Sequence, residues 1–317
     1  MRKILVHNFG DATVMQIETA DNPTPAPNQL LIRISAVGVN PVDTYIRSGT
    51  YGKLPTLPYT PGFDAAGTVL SIGNEVVRHS VGDRVYLNGS VTGTYADHAL
   101  CTSDQVFALP KVLTFAQGAA VGIPYATAWR AIFQIARAQP GQTILIRGAS
   151  GGVGLAATQM SRNAGLRVIG TAGSDTGKIL VTRCGADLVV DHAEHDEVMH
   201  FTNGRGPDII LEMMGNANLV EDLAIAARNA TIVIVGNRGE VTIDPRIVMS
   251  KELEIRGVLL FATSPSELLQ IHTGLAPGLR LGILQPVVGR EFSLDEAVLA
   301  HEYIMRGNTA GKCVLLP

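Results

Sequence analysis

The sequence is short of cysteine, and its few cysteines are badly placed for cross-linking. Cys101, Cys184 and Cys313 are an odd number, lie far apart, and form no Cys-x-x-Cys pair. That argues against a disulfide framework and against a cysteine-held structural zinc cluster, leaving free thiols in a reducing compartment as the expectation. Long apolar runs are missing too. No stretch approaches the roughly 20 residues that a spanning helix needs. The apolar character of Met1 to His7 ends after three residues, too short for a secretion signal. A cytoplasmic protein with no membrane partner is therefore expected. A strong charge of either sign is also absent: the formal net charge is -3 and the pI about 6.2. Such a balance gives no electrostatic case for nucleic acid or an anionic membrane surface. Repeats and low-complexity tracts are absent.

What is present is a chain of 317 residues, 46% hydrophobic and 17% charged, with 34 glycines. That length suits about two domains, each with its own core, and the composition is globular with many tight turns. Residues 1–118 are rich in Pro, Gly and short β-type runs, such as Leu30–Ile34 and Ala66–Leu70, with a turn running into a strand at Val81–Tyr86. They predict a compact, mostly antiparallel β domain. From 119 to 260 the pattern alternates. Short Ile- and Val-rich runs at Thr143–Arg147, Arg167–Thr171, Leu188–Val190, Asp208–Leu211 and Thr231–Val235 are separated by helix-compatible stretches at Leu155–Ala164, Thr176–Cys184 and Leu219–Arg228. This is how an α/β doubly wound parallel sheet reads. The last stretch, with helices at Pro265–Leu275 and Leu294–Met305 and a strand at Gly311–Leu316, is assigned back to the first domain. The expected division is thus 1–118 plus 261–317 around an inserted 119–260.

The strongest local signal lies in Thr143–Ala157, where an apolar strand runs into Ala149-x-Gly151-x-x-Gly154 and then a helix-forming run. A residue without bulk makes the tight turn, Gly151 lets the backbone approach a pyrophosphate, and Gly154 permits close packing of helix on strand. The helix N-terminus offers free N–H groups to the anion. Glycines also mark ordinary turns, but this run opens a series of βα units, the context that points to a dinucleotide. The next strand ends at Ala172-Gly173-Ser174, where an NAD-preferring site would carry an acid for the ribose 2′-hydroxyl. Without it a 2′-phosphate meets no repulsion, and Ser174 and Lys178 could contact it. Asp175 lies 21 residues beyond Gly154, near the usual interval for that acid. It falls past the strand end, however, where a first-turn or N-cap role fits better. NADPH is the expected cofactor.

Several blocks then combine: Gly38–Tyr51, Leu57–Gly62, Gly118–Ala128, Gly148–Gly154 and Gly170–Gly173. With them the chain resembles, essentially end to end, the zeta-crystallin-type NADPH:quinone oxidoreductases of the medium-chain dehydrogenase/reductase superfamily. The resemblance implies a Rossmann dinucleotide domain inserted in a GroES-like catalytic domain, and a homodimer or homotetramer paired through the edge of the dinucleotide domain. It assigns cofactor contacts to Tyr51, Ser150, Gly151, Gly152, Val153, Gly173, Lys178, His192 and Asn216. It assigns others to Gly236, Asn237, Arg238 and Gly239, to Leu259, Leu260 and Phe261, and places Thr127 near the nicotinamide. Taken alone, His192 reads as a surface histidine after a strand and Asn216 as a turn cap. Two departures stand out: Phe63 where the family carries a small or polar residue, and Met214-Gly215 interrupting a familiar run.

Zinc alcohol dehydrogenases of the same superfamily hold a Lewis-acid zinc through a Gly-x-Cys turn and a Gly-His-Glu turn, with one open coordination position. Here those turns read Gly38-Val-Asn40 and Gly62-Phe63-Asp64, so both ligand positions are emptied. Without a metal the acceptor must itself be strongly electrophilic, which points to quinones or α,β-unsaturated carbonyls. The polar candidates left to act on it are Asn40, Asp43, Tyr45 and Tyr51. A tyrosine hydroxyl or an asparagine amide can donate to a developing oxyanion, and tyrosine rings can line a flat apolar pocket. The same tyrosines could instead be packing residues. Two other functions stay open: an NADPH-dependent reductase of enone or acryloyl-type double bonds, and an RNA-binding or structural, crystallin-like protein. The acidic balance opposes RNA, and the intact glycine turn favours catalysis.

The emptied ligand positions predict that the purified protein carries no stoichiometric zinc. Elemental analysis giving about one zinc per chain, with activity lost to chelators, would overturn that expectation.

Overall fold

The computed structural model describes residues 1–307 and 309–317. The N-terminal run comprises β1 (Arg2–Val6), β2 (Met15–Thr19), β3 (Gln29–Val39), α1 (Pro41–Arg47), β4 (Asp64–Ile72), β5 (Arg84–Asn88), β6 (His98–Thr102), β7 (Val106–Ala108), α2 (Phe115–Gly118) and α3 (Gly122–Trp129). Strands and helices then alternate through β8 (Thr143–Ile146), α4 (Gly152–Asn163), β9 (Arg167–Thr171), α5 (Asp175–Arg183), β10 (Leu188–Val190), α6 (His195–Phe201), β11 (Ile209–Glu212), α7 (Gly215–Ile225), β12 (Thr231–Ile234), α8 (Pro245–Lys251) and β13 (Glu254–Gly257). The chain closes with α9 (Pro265–Arg280), β14 (Val288–Ser293), α10 (Ala297–Met305) and β15 (Lys312–Leu316). No helix among the described residues is long and apolar enough to cross a membrane.

The chain divides into two compact units, Met1–Ile123 with His272–Pro317, and Pro124–Ile271. The first join falls five residues beyond the expected 118 and the second eleven beyond the expected 260. Residues 119–123 stay with the first unit because the backbone N–H of Ile123 donates to Asp64 Oδ1 at 2.7 Å. Residues 261–271 stay with the second, where Glu267 pairs with Arg130 at 3.7 Å. Helix α9 also runs on through Pro277 to Arg280, past its expected end at Leu275.

In the first unit a seven-stranded sheet runs β14-β15-β3-β4-β5-β7, with β6 also pairing β3. All its pairings are antiparallel except β14 with β15. The eleven-residue β3 buries Leu30, Ile32, Ile34, Val37 and Val39, and α10 adds Ala297, Ala300 and Ile304 to the same core. Cys101 and Cys313 lie buried in this unit as free thiols.

The second unit is built on a six-stranded parallel sheet of order β10-β9-β8-β11-β12-β13. Helices cover both faces of such a sheet, so its inner strands are apolar throughout. Ile144, Leu145 and Ile146, Val168 and Ile169, Ile209, Ile210 and Leu211, and Ile232 and Val233 are all buried. The register sets Leu145 beside Ile169 and Ile210, and Ile210 beside Ile232. With β8 as the first strand this is the 3-2-1-4-5-6 order, whose direction of winding reverses between β8 and β11. Ligands of such sheets bind outside the strand C-termini at that reversal, so the fold singles out the segments after Ile146 and Glu212.

Because Ile210 is wholly enclosed by its strand neighbours, Ile210→Ala is expected to destabilise the protein by about 2–5 kcal/mol. Urea denaturation of the purified variant would measure it.

Candidate functional site

The turn after β8 separates two kinds of glycine. A Cβ on Gly154 would lie 2.5 Å from Ala149 Cα and 2.6 Å from the Gly148 carbonyl oxygen, both backbone atoms that cannot move aside. Gly154 is therefore the residue that lets α4 press against the end of β8. A Cβ on Gly151 would meet only the Gly148 carbonyl oxygen, at 3.6 Å. Gly151 is the N-cap of α4, and it brings no side chain to satisfy the first N–H groups of that twelve-residue helix. Gly152 and Val153, the first two helical residues, are partly exposed, and Ser150 is buried beside them. An open helix start of this kind binds anions through its N–H groups and dipole.

At the end of β9, Ser174 caps α5, its Oγ accepting from Gly177 N at 3.2 Å. Its hydroxyl proton remains available to donate. Asp175 occupies the first turn of α5, as its place past the strand end suggested. Lys178, one turn along, reaches Asp191 at 3.6 Å. Asp191 escaped the sequence reading, since nothing in its neighbourhood marks it out except the adjoining His192. His192 itself is exposed, its Nδ1 2.9 Å from Thr171 Oγ1. Thr171 Oγ1 also accepts from Gly148 N at 3.0 Å, so the threonine ties the histidine ring to the glycine turn.

The loops after β11 and β12 are stitched together. Gly215 N donates to the Gly236 carbonyl at 2.9 Å, and Arg238 N donates to Asn216 Oδ1 at 2.9 Å. The Asn237 amide closes the second loop onto the Gly239 carbonyl at 2.5 Å. Leu259, Leu260 and Phe261 follow β13 in a short 3-10 turn, with Leu259 and Phe261 exposed. Ser150–Val153, Gly173, Ser174, Lys178, His192, Asn216 and Gly236–Gly239 therefore all sit just past the C-terminal ends of strands in one sheet. Thr127 is the exception, buried in α3 ahead of the sheet.

In the first unit the four catalytic candidates part into two pairs. Asn40 and Asp43 lie inside the protein, 3% and 1% exposed. The Asn40 amide donates to Asp64 Oδ2 at 2.9 Å, and its Oδ1 accepts from the ammonium of Lys312. Lys312 also pairs with Asp64 at 3.1 Å. Asp43 Oδ2 accepts from Asn40 N at 2.8 Å and from the Tyr95 hydroxyl at 3.2 Å. Burial pushes the Asp43 carboxyl up to about 7, against the pull of the Asn40 N–H and of Lys312. Asn40 and Asp43 hold the start of α1 from inside the protein, and Asp43 Oδ1 is left buried without a hydrogen-bond partner. Further along, Arg47 anchors the other end of α1, donating to the Gly10 carbonyl at 2.6 Å and to His301 Nδ1 at 3.2 Å.

Tyr45 and Tyr51 behave differently, both being partly exposed. The Tyr45 carbonyl accepts from Thr50 N at 3.0 Å, tying the end of α1 to the loop that leads into Tyr51. Burial raises the Tyr51 hydroxyl above its usual range, so it stays protonated at neutral pH.

Two family models match the chain: an alcohol dehydrogenase GroES-like domain over residues 26–111 and a zinc-binding dehydrogenase domain over residues 152–272. The zinc of the second description finds no counterpart in the turns at 38–40 and 62–64, which lie outside its span. Among the described residues, no group of three or more His, Cys, Asp or Glu could hold a metal ion. The chain is 43% identical to a human quinone oxidoreductase, covering all of this chain and 98% of that protein. A mouse quinone oxidoreductase is 45% identical over the same shares. The chain belongs to the quinone oxidoreductases of the medium-chain dehydrogenase/reductase superfamily. Among solved structures, an Escherichia coli quinone oxidoreductase complexed with NADPH superposes with a TM-score of 0.91 at 28% identity, with both chains fully covered. The family's GroES-like and dinucleotide domains are the two units described above.

The two glycines of this family's turn should respond oppositely to a methyl group. Gly154→Ala forces backbone apart and should cost about 1–3 kcal/mol of stability. Gly151→Ala should melt within a degree or two of wild type, since its Cβ meets only ordinary contact. Parallel thermal melts would check both.

Proposed function

We propose that this chain is an NADPH-dependent, zinc-independent quinone oxidoreductase. The observation that carries the reading is the turn from Gly148 to Gly154 at the winding reversal, an open glycine N-cap facing where a pyrophosphate must approach. Its relatives are named quinone oxidoreductases, and the Escherichia coli structure holds NADPH. The rim of β9 supports NADPH over NADH. No carboxylate stands at the strand end, and Ser174 and Lys178 offer a hydroxyl proton and an ammonium to a 2′-phosphate. His192, Asn216, the 236–239 and 259–261 segments, Thr127 and Tyr51 are assigned to the same cofactor by the family pattern. Bound there, the reduced nicotinamide would supply a hydride.

The chain's own residues hold the acceptor and manage the charge that grows on its oxygen. Tyr45 and Tyr51 bring rings for a flat apolar substrate and hydroxyls to donate to that oxygen. Tyr51, kept protonated by burial, suits the donor role. Asn40 and Asp43 act through α1, holding the helix that carries Tyr45. The zinc-independent reading is supported at the emptied ligand turns, where the Lys312 ammonium already bridges Asn40 and Asp64 and would repel a second cation. A fixed charge polarises no carbonyl as a bound metal does, so the acceptor must be electrophilic in itself, as quinones are. Three free thiols support a cytoplasmic setting. Strand β13, at the edge of its sheet with one side of its backbone unpaired, supports pairing into a homodimer or homotetramer.

The test follows cofactor absorbance across quinones and α,β-unsaturated carbonyls, with NADPH and NADH. Quinones should turn over faster than enones, and the KM for NADPH should lie about tenfold or more below that for NADH. Lys178→Met should raise the NADPH KM about tenfold, because it removes the cation and releases Asp191 beside the phosphate. The KM for NADH should stay within about twofold. Equal use of both cofactors by the wild type, or faster turnover of enones, would sink the proposal.

A further inference from the structure

The loops after β8, β10 and β11 converge on a buried ion cluster that has no part in the chemistry above. Arg147, the residue before Gly148, is 1% exposed, and Glu212 and Asp222 are wholly buried. Arg147 Nε donates to Asp222 Oδ1 at 2.8 Å and lies 4.0 Å from Glu212 Oε2. Its Nη1 donates to the His192 carbonyl at 3.0 Å. Glu212 Oε1 accepts from the Asn218 amide at 3.0 Å and from the backbone N–H of Met214, the N-cap of α7. Glu212 Oε2 and Asp222 Oδ2 are both left buried with no hydrogen-bond partner, on two acids that flank the one Arg147 Nε at 4.0 and 2.8 Å. Two carboxylate oxygens accept but cannot donate, so only a proton on one of the acids would let either oxygen be satisfied by the other. Two full negative charges against one guanidinium would also leave a net charge without water; one shared proton brings the cluster to neutrality.

We propose that Glu212 and Asp222 share a single proton, and that this acid pair positions the loops bearing His192 and Met214–Asn216 for the dinucleotide. The inference rests on the reading that the second unit binds NADPH. Glu212 holds Met214 directly, and Asn216 Oδ1 carries the effect on to Arg238 and the 236–239 loop. Arg147 ties in His192 and is itself joined to the glycine turn. These are positioning residues, since none touches the cofactor in this scheme. Burial, and then the facing Glu212 carboxyl, pushes Asp222 up to about 8 against the pull of Arg147. The groups facing it are Arg147 at the end of β8, Glu212 from β11, and His195 from α6, whose Nε2 lies 3.4 Å from Arg147 Nη2. On the α8 side, Lys251 is turned to the carbonyls of Leu223, Ala224 and Ala226. Above that range the proton leaves, the cluster gains a buried negative charge, and the loops loosen.

Asp222→Asn and Glu212→Gln each replace the shared proton with an amide N–H while keeping shape. NADPH titrations between pH 7 and 10 should show wild-type Kd rising up to about tenfold per pH unit above about 8, with both variants level within about twofold. In kinetics the KM for NADPH should climb while kcat at saturating NADPH stays flat. A second arm needs no cofactor. A folded-state pKa raised above the unfolded value stabilises the fold at low pH, and that stabilisation is lost as pH rises towards about 8. In urea, the folding equilibrium constant of the wild type should therefore fall relative to Asp222→Asn by about tenfold per unit from roughly pH 5 to 8, then hold steady. A gap that does not change with pH removes the shared proton. Wild-type and variant Kd values rising in parallel above pH 8 remove the positioning role. If the stability arm behaves as expected but NADPH fails to bind at any pH, the dinucleotide reading falls and the positioning role with it. Should Asp222→Asn not fold, Glu212→Gln carries both arms.

Discussion

A parallel sheet covered on both faces leaves its chemistry only one place to go. Inner strands such as β8 and β11 are apolar through their middles, with the buried polar residues Thr143 and Glu212 only at their ends. Their C-terminal ends are where the backbone emerges and the winding order reverses. The contact that makes this end usable is Gly154 against Ala149 and the Gly148 carbonyl, which seats α4 directly on the strand exit. A bulkier residue there would tilt the helix away and carry its N–H groups with it. The rim residues of the second unit, from Ser174 and His192 to Asn216, are arranged around this one close approach.

The first unit fills the two turns at 38–40 and 62–64 with its own buried charges. The emptied turns have not become a void. Lys312, Asp64 and Asn40 satisfy one another there, and Asp64 also fixes Ile123 N. Breaking such a buried set by removing one member strands the others, which is strongly destabilising. The charge is thus spent on holding β4, β15 and the start of α1 in register. In the proposed mechanism, activation of the substrate falls to hydroxyl groups instead. That fits acceptors whose own electronic demand does what a Lewis acid would do for a ketone.

How far the sequence disclosed this depends on what carried the information. The strands Arg167–Thr171 and Leu188–Val190 were legible to the residue, because buried parallel strands are dense in Ile and Val and end sharply at Gly and Asp. The glycine turn was legible because strand, turn and helix are contiguous. Helix α1 was missed as an element although Asn40, Pro41 and Asp43 spell an N-cap, a proline at the first helical position and an acid at the third. Strand β13 was missed because, on an edge, Glu254 and Arg256 interrupt any apolar run. The engaged states of Asn40 and Asp43 depend on Lys312 and Tyr95, 272 and 52 positions away, and no local pattern reports them. Glu212 and Asp222 were hidden likewise, since a shared proton exists only once folding brings two acids together.

The three thiols acquire a meaning in this light. Quinones alkylate thiolates, so a protein that reduces them is exposed to its own substrates. Burial pushes Cys101 well above the usual thiol range and Cys313 up to about 12. Cys184, raised by burial as well, accepts a hydrogen bond from the Gln159 amide at 3.3 Å. None offers a thiolate at neutral pH, and only the thiolate is the nucleophile. Two buried thiols and one half-buried thiol, each held protonated, leave the quinones that this family reduces little thiolate to attack.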